Sequence, residues 1–293
     1  MAIDPKPVTD VLTKGVEEIA KSGASEAGSM VVKAALSPAI KWLKDKWRPH
    51  QKEVQKKAEE NTLHYLEDIA EKIKKIEESS KDNPVTAALV KSAFRDPAFS
   101  ATFQDALYAA SKTSNEERHK LLARVISERL IANEDSLISL VSPQAIDSIS
   151  NLSPKHIRYL ALAVTIFSIR PLNVKKELLT PEQINTVSRD WWLRHLSPII
   201  SKASPLTQVD IMHLVGLSCL SFESFIGRGL DGVLKEPFGE WEAQKFINET
   251  QEGKKLKEIW ENSLQKIDLT SVGSMIGTIA HDEITGQRTV ITW

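Results

Sequence analysis

Seven histidines and one cysteine are the side chains in this sequence best suited to bind a metal or act as nucleophiles. The histidines follow neither the HExxH nor the HxxxH spacing, and Cys219 has no second cysteine to complete a thiolate site. The densest polar cluster is His281-Asp282-Glu283, which could hold a metal if a second histidine and aspartate converged on it. Nothing in the sequence indicates such convergence, so we interpret the triplet as a solvated helix end. We predict no metal site.

The glycines at 227, 229 and 232 match the GxGxxG fingerprint of dinucleotide-binding proteins. That fingerprint needs a buried strand before it, so that the tight turn directs a helix N-terminus at the pyrophosphate. Residues 217–226 have helical character instead, and we interpret the glycines as a break between two helices. The GxSxG string of serine hydrolases is absent. We therefore expect a protein that is not an enzyme and has no cofactor.

Two arginines share a helical face with apolar residues. In the helix that follows Ser114, Arg118 and Arg129 fall on the same arc as three apolar side chains, Leu121, Leu122 and Val125. A buried arginine needs a carboxylate or a ligand oxygen as its partner. Two interpretations stay open: an internal ion pair, with Glu128 or Asp147 as the acid, or a binding site.

Residues 37–57 form a basic amphipathic segment. From Lys41 to Lys57, seven basic residues oppose two acidic ones, a net charge of +5. The candidate contact residues are Lys41, Trp42, Lys44, Lys46, Trp47 and Arg48. Basic helices with tryptophan at the edge are typical of membrane interfaces, and equally of bundle helices whose tryptophans pack internally. We predict that this segment contacts anionic lipid or an acidic protein partner.

Polar residues followed by proline predict seven helix starts, because the polar side chain caps the helix and proline needs no donor at its first position. They are Ser37-Pro38, Asn83-Pro84, Asp96-Pro97, Ser142-Pro143, Ser153-Pro154, Thr180-Pro181 and Ser204-Pro205. Ser114 and Glu117 add a predicted capping box. A stripe of Leu63, Leu66, Ile69, Ile73 and Ile76 predicts a long charged helix over residues 51–78.

The predicted fold class is all-α, a multi-helix bundle with that long charged N-terminal helix. Strand-like alternation is confined to residues 288–293, which together with the turn at 285–287 predict a short C-terminal β-hairpin. We predict three regions. Residues 1–82 are a Gly/Ala-rich leader and a charged helical arm, residues 83–170 a core bundle, and residues 171–293 a second helical half.

Composition excludes several classes of protein. The 293 residues include 38 basic and 39 acidic side chains, so the net charge of −1 argues against a surface that tracks nucleic acid. The longest uncharged apolar-rich runs are 11 and 12 residues, short of the roughly 18 to 20 that span a bilayer. The start of the chain lacks a signal-peptide pattern. A lone cysteine and no secretion pattern predict a cytoplasmic protein.

Four stretches of the sequence form a recognisable set: Asn61-Thr-Leu-His-Tyr65, residues 116–129, residues 149–154 and Leu269-Thr-Ser-Val-Gly273. Together they resemble bacterial abortive-infection alpha-like proteins, whereas residues 171–268 contain no matching motif. The resemblance implies a bacterial antiviral defence protein that acts by abortive infection, through assembly and contact with a partner or membrane. It implies no catalytic residues. The expected location is cytoplasmic, peripheral at the inner membrane face.

The alternative is a DNA-linked regulator with a C-terminal winged-helix-like unit. In this hypothesis Leu269-Thr270 starts a helix that precedes the C-terminal hairpin. Residues 269–293 contain only Arg288 as a cation, against Asp282 and Glu283, so phosphate contact there is expected to be weak. Nucleic acid is therefore the less favoured partner.

Overall fold

The structure, a computed structural model, describes residues 39–80, 84–93, 95–171, 179–222 and 229–289. Within these ranges the chain is almost entirely α-helical, which confirms the predicted fold class. Two compact units divide the chain between residues 150 and 151. The sequence pattern predicted three regions, with boundaries at residues 82 and 170. The earlier division follows from packing, because the helix that starts at Pro154 lies against the last helix of the second unit.

The first unit contains six described helices. They are α1 (39–47), α2 (Lys52–Ser80), α3 (Pro84–Ala93), α4 (Pro97–Ser111), α5 (Glu116–Leu130) and α6 (Leu137–Asn151), the last ending just past the boundary. The long charged helix is present as predicted, but it is not a free arm. Its apolar stripe packs against α4 and α5, with Leu66, Ile69, Ile73 and Ile76 buried. The Gly/Ala-rich leader lies outside the described residues.

Three of the proline starts are confirmed by capping contacts. Asp96 caps α4, Ser153 caps α7 and Thr180 caps α8, each accepting hydrogen bonds from backbone N–H groups of the first turn. Helix α3 begins at Pro84 as predicted. Ser37-Pro38 and Asn83 lie outside the described residues.

Three cap predictions are wrong. Pro143 lies inside α6, because Ser136 accepts a hydrogen bond from the Ser139 N–H and starts the helix earlier. The Ser204-Pro205 start is replaced by Thr207, which forms a reciprocal capping box with Asp210.

The third wrong cap is at the start of α5. Asn115, rather than Ser114, is the N-cap, since its side-chain oxygen accepts the Arg118 N–H at 3.0 Å. The sequence identified the region of this start but chose the neighbouring polar residue.

The second unit is built around two closely packed helices. Its described elements are α7 (Pro154–Phe167), α8 (Pro181–Ile200), α9 (Gln208–Gly216), β1 (Leu220–Phe222), α10 (Leu230–Lys235), α11 (Ala243–Glu249), α12 (Gln251–Asn262), a 3-10 turn (Leu264–Lys266), β2 (Ile267–Leu269) and α13 (Ser271–Thr285). Helix α13 packs along α7, and α8 lies against both. Gly277 permits this approach, because a Cβ there would lie 2.6 Å from the Leu160 carbonyl oxygen.

The β-structure of the described residues lies away from the predicted C-terminal hairpin. Strands β1 and β2 form one antiparallel pair, with Leu220 opposite Leu269 and Phe222 opposite Ile267. Residues 220–222 are therefore strand, so the helical character assigned to 217–226 is wrong there. Gly286 ends α13 in the left-handed conformation, and residues 287–289 are irregular. Most of the predicted hairpin lies outside the described residues.

Candidate functional site

The basic segment forms an exposed positive surface on the first unit. Helix α1 and the start of α2 present six exposed cations, which we call the basic surface: Lys41, Lys46, Arg48, Lys52, Lys56 and Lys57. Lys44, Trp42 and Trp47 are half-buried at its edge. The structure thus brings together all six contact residues predicted from the sequence, with the charges outside and the tryptophans partly covered.

Few carboxylates neutralise this surface. Arg48 lies 3.9 Å from Asp45, and Lys56 lies 3.8 Å from Glu60. Partial burial raises the pKa of Glu59, and the positive charge of Lys44 opposes that rise. The remaining four cations, Lys41, Lys46, Lys52 and Lys57, form no ion pair with any residue that the structure describes. Within the described part of the chain, these four charges have no carboxylate partner.

The two tryptophans pack inside the first unit. Trp42 meets Tyr108 edge-on, with ring centroids 6.1 Å apart, and Trp47 lies 6.0 Å from the same ring. The Trp47 indole N–H also donates to the Ser111 hydroxyl at 3.1 Å. The basic segment had two interpretations, membrane contact and internal packing of its tryptophans. The tryptophans pack internally. Contact with lipid or an acidic partner stays a prediction that rests on the cations.

Two lysine ammonium groups lie near the ring of Tyr108. The Lys112 ammonium lies 3.7 Å from the ring centroid and the Lys46 ammonium lies 5.5 Å from it. Lys112 is the C-cap residue of α4, so its position is fixed by the end of that helix. The sequence could not show this cluster, because 65 positions separate the two lysines and no local pattern connects them.

The two arginines of α5 have different surroundings. Arg129 is 4% exposed and donates to the Asp96 carboxylate at 2.8 Å and to the Ser139 hydroxyl at 2.5 Å. For Arg129 the predicted partners are therefore wrong: its acid is Asp96, and Glu128 pairs with Arg124 at 2.7 Å. Asp96 is available because it caps the helix that packs beside α5. Arg118 is half-buried.

A set of buried polar side chains in the second unit is linked by hydrogen bonds. Asp282 accepts from His281 Nδ1 at 3.1 Å, and His281 Nε2 lies 3.0 Å from His195 Nδ1. The tautomers of the two rings set which nitrogen donates in the contact between them. The other end is fixed by Thr289, whose backbone N–H and hydroxyl both donate to Asp282. The interpretation of this triplet as a solvated helix end is wrong for His281 and Asp282, which are buried; only Glu283 is exposed.

Burial is the main influence on His195. Desolvation lowers the pKa of His195 to about 4, helped by the neighbouring His281 and Arg194 and opposed by Asp282. The imidazole is therefore neutral at physiological pH and acts as a hydrogen-bonding element between α8 and α13. A second histidine does converge on the His281-Asp282 pair. Even so, no group of three or more metal-binding side chains is arranged around an ion position in the described part of the chain.

A second carboxylate joins two helix starts. Asp210 lies 2.6 Å from Lys155 Nζ and 3.1 Å from His156 Nε2, while it caps α9 through Thr207. The hydrogen bond from Lys155 and those from Thr207 and His156 hold the pKa of Asp210 well below its usual range, against the effect of burial. This cluster ties α7 to α9 and has the contacts of a structural junction.

A polar cleft lies between α8 and α11. Its volume is about 590 Å³, within the range of ligand pockets. Hydrogen bonds close it at both ends, from the Glu242 N–H to Asn185 and from the Ser197 hydroxyl to Glu252. Arg189 and Lys245 share the lining with three glutamates. These charges are mixed and exposed, so the cleft does not indicate one class of ligand.

The dinucleotide fingerprint and the winged-helix alternative each require particular elements. Strand β1 precedes the fingerprint, but it is three residues long, antiparallel to β2, and only its Leu220 is buried. Gly229 caps α10, a helix of six residues, and 223–228 lie outside the described residues. The winged-helix alternative needs α13 to present a recognition face. Instead α13 is buried along most of its length against α7 and α8. The geometry therefore favours the basic surface over α13 as the contact site.

The described helices include none with the length and apolar composition needed to cross a membrane.

Comparison with curated proteins and with solved structures finds no significant match. A family model described only as "-like", with no activity in its description, matches residues 30–241. Abortive infection is not part of that description, so it remains a proposal. Because the match spans well over half of the chain, the protein belongs to this uncharacterised family.

Proposed function

We propose that this protein acts by binding rather than by catalysis, as a cytoplasmic bacterial defence protein of the abortive-infection type. The basic surface of the first unit is the contact site, and its partner is an acidic protein or the anionic inner face of the membrane. The single observation that carries the proposal is a set of four exposed lysines on α1 and α2 that form no ion pair with a described residue: Lys41, Lys46, Lys52 and Lys57.

Electrostatics supports this choice of surface. The whole chain has a net charge of −1, so it has no general attraction for anions. A local cluster of lysines still attracts an anionic surface, by about 1 kcal/mol per lysine close to it. Several such lysines on one face therefore orient the protein and bind it reversibly.

The proposal of abortive infection comes from the resemblance of the sequence to that family. A protein that acts by binding is compatible with this role. A defence protein of this kind needs to recognise an infected state and act on a cellular target, and neither task requires a nucleophile or a metal. In this proposal the protein binds its partner through the basic surface, and copies of the protein assemble with one another through their helical units.

The test is the plating efficiency of a phage panel. Cells carry the wild-type gene, an empty vector or the variant Lys41→Glu, Lys52→Glu, Lys57→Glu, which reverses three charges of the basic surface. We expect wild-type to reduce plating for at least one phage and the variant to restore it to the vector level.

The matched control reverses three exposed lysines of the second unit, Lys202→Glu, Lys254→Glu and Lys266→Glu. It changes net charge equally but leaves the basic surface intact, so protection is expected to persist. Melting temperatures of the purified proteins establish that both variants fold. Wild-type plating equal to the vector across a broad panel would contradict the defence proposal.

A further inference from the structure

Two lysines from different helices converge on one tyrosine at the edge of the basic surface. Lys46 comes from α1 and Lys112 from the end of α4, and their ammonium groups lie 5.5 Å and 3.7 Å from the centroid of Tyr108. The two nitrogens are thus at most about 9 Å apart, comparable with the Debye length of about 8 Å at physiological salt. Both charges can act on one bound anion.

Neither lysine forms an ion pair with a residue that the structure describes, and both are exposed. Asp45, the acid next to Lys46 in the sequence, lies 3.9 Å from Arg48 instead. A lysine at a helix C-terminus also offsets the helix dipole. The helix dipole favours the position of Lys112. It does not account for the position of Lys46, which belongs to α1 and lies 5.5 Å from the same ring.

The site is held in place by its surroundings. Trp42 and Trp47 pack on the Tyr108 ring, and Ser111 accepts from the Trp47 indole and donates to the Tyr108 carbonyl oxygen. Asn61 of α2 donates to the Ser111 carbonyl oxygen at 3.0 Å. Three helices therefore fix the ring over which the two ammonium groups lie. Such preorganisation reduces the entropy that an anion's binding must overcome.

We propose that Lys46, Tyr108 and Lys112 form a binding site for a phosphate group, which we call the Tyr108 cradle. Lysine binds phosphate as a compact charge, and a phosphate group beside the ring is attracted by both ammonium groups. The position of the cradle on the basic surface makes an anionic lipid headgroup the expected source, with soluble phosphate as the other. The inference rests on the proposed function only in using the same surface.

The experiment compares charge removal inside and outside the cradle. The cradle variant is Lys46→Gln with Lys112→Gln; the matched control is Lys56→Gln with Lys57→Gln, which removes the same charge from the same surface. Binding is measured by co-sedimentation with vesicles of phosphatidylcholine, alone or mixed with phosphatidylglycerol. Two lysines at about 1 kcal/mol each correspond to about 30-fold in affinity for the mixed vesicles. We expect the cradle variant to lose at least this much and the control several-fold less, because Lys56 is already paired with Glu60 and neither control lysine lies beside the Tyr108 ring.

Equal losses in the two variants would overturn the cradle, because they would mean that only the overall charge of the surface matters. No loss in the cradle variant would also overturn it. Tyr108→Phe keeps the ring and its packing and tests the hydroxyl. Unchanged melting temperatures for all variants exclude loss of fold as the cause.

Inorganic phosphate, added to the protein alone, distinguishes the two sources. A higher melting temperature of wild-type but not of the cradle variant, without vesicle binding, supports the phosphate site and assigns it to a soluble ligand. Vesicle binding that depends on phosphatidylglycerol assigns it to lipid. Absence of both effects refutes the site. Phosphate binding without phage protection contradicts the proposed function and leaves the cradle intact.

Discussion

Asp96 has two roles in the first unit. Its carboxylate accepts the backbone N–H groups of Ala98 and Phe99 at the start of α4, and it also accepts from the Arg129 guanidinium of α5. One carboxylate thus caps one helix and joins it to the next. The buried guanidinium also donates to the Ser139 hydroxyl, so it has two hydrogen-bond partners.

We predict that Arg129→Ala destabilises the protein. Removing one member of a buried ion pair costs about 3–5 kcal/mol, because the other member loses its counter-charge. Urea unfolding of the purified protein measures the change. The control is Lys75→Ala, whose pair with Glu71 is exposed on α2 and is worth about 1 kcal/mol or less. Equal effects would contradict the prediction. If Arg129→Ala abolished phage protection at an unchanged melting temperature, Arg129 would belong to a functional site.

His195 makes stability depend on pH. Its pKa is lowered to about 4 in the folded protein, whereas an unfolded histidine titrates near 6.5. The unfolded state therefore binds this proton more readily. The contribution is fully present above about pH 6.5 and is lost as the pH falls toward 4.

We therefore predict that the free energy of unfolding falls by up to about 2 kcal/mol between pH 6.5 and pH 5 through this residue. The measurement is urea unfolding at both pH values for wild-type and for His195→Gln. His156, whose pKa is also lowered by burial, contributes in both proteins and cancels in the comparison. A pH dependence that is the same in the two proteins would contradict the assignment to His195.

At the scale of the elements, the second unit depends on how closely α13 approaches α7. A Cβ at Gly277 would meet the Leu160 carbonyl oxygen at 2.6 Å and the Val164 side chain at 3.1 Å. The first of these is a backbone atom that moves only with its helix. A glycine that would otherwise weaken α13 is thus required by the packing of the two helices.

We predict that Gly277→Ala destabilises the protein by about 1–3 kcal/mol, the usual effect of overpacking. The control is Gly232→Ala in α10, where a Cβ would meet nothing within 4 Å. That change removes backbone freedom from the unfolded chain and is expected to stabilise by about 0.5–1 kcal/mol. Thermal unfolding measures both. Opposite signs support the packing argument, and two stabilising changes would contradict it.

Helix α1 provides the next prediction, because its tryptophans pack internally. Trp47→Phe removes the hydrogen bond to Ser111 and should lower the free energy of unfolding by about 1 kcal/mol. Vesicle binding should be unaffected, because the cations rather than the indole make the contact. Co-sedimentation with phosphatidylglycerol vesicles checks this. A loss of pelleting with the fold intact would favour insertion of the tryptophan into the membrane.

At the scale of the whole molecule, charge is balanced overall and concentrated locally. The chain has a net charge of −1, while residues 41–57 have +5. Binding to an anionic surface must therefore come from one face and should be sensitive to salt.

We predict that vesicle binding is lost when the ionic strength rises from about 0.1 M to about 1 M, because the Debye length shortens from about 10 Å to about 3 Å. Binding that persists in high salt would show that apolar insertion, rather than charge, holds the protein at the surface.

Several features of the fold could be predicted from the sequence because they depend on neighbouring residues. Asp96, Ser153 and Thr180 cap helices within their own first turns, and the stripe from Leu66 to Ile76 repeats with the period of one helix. The all-α class and the long charged helix follow from these local patterns. Where two polar residues compete for one cap, as at Ser114 and Asn115, local pattern is insufficient to choose between them.

Only the tertiary structure decided which distant residues meet. Asp96 reaches Arg129, His195 reaches His281, and Lys46 joins Lys112 over Tyr108, each across many positions of the chain. The sequence determined which segments become helices and where positive charge is concentrated, because periodicity and composition are properties of single segments. Partners across helices depend on which faces pack together, and a single helix does not encode that choice.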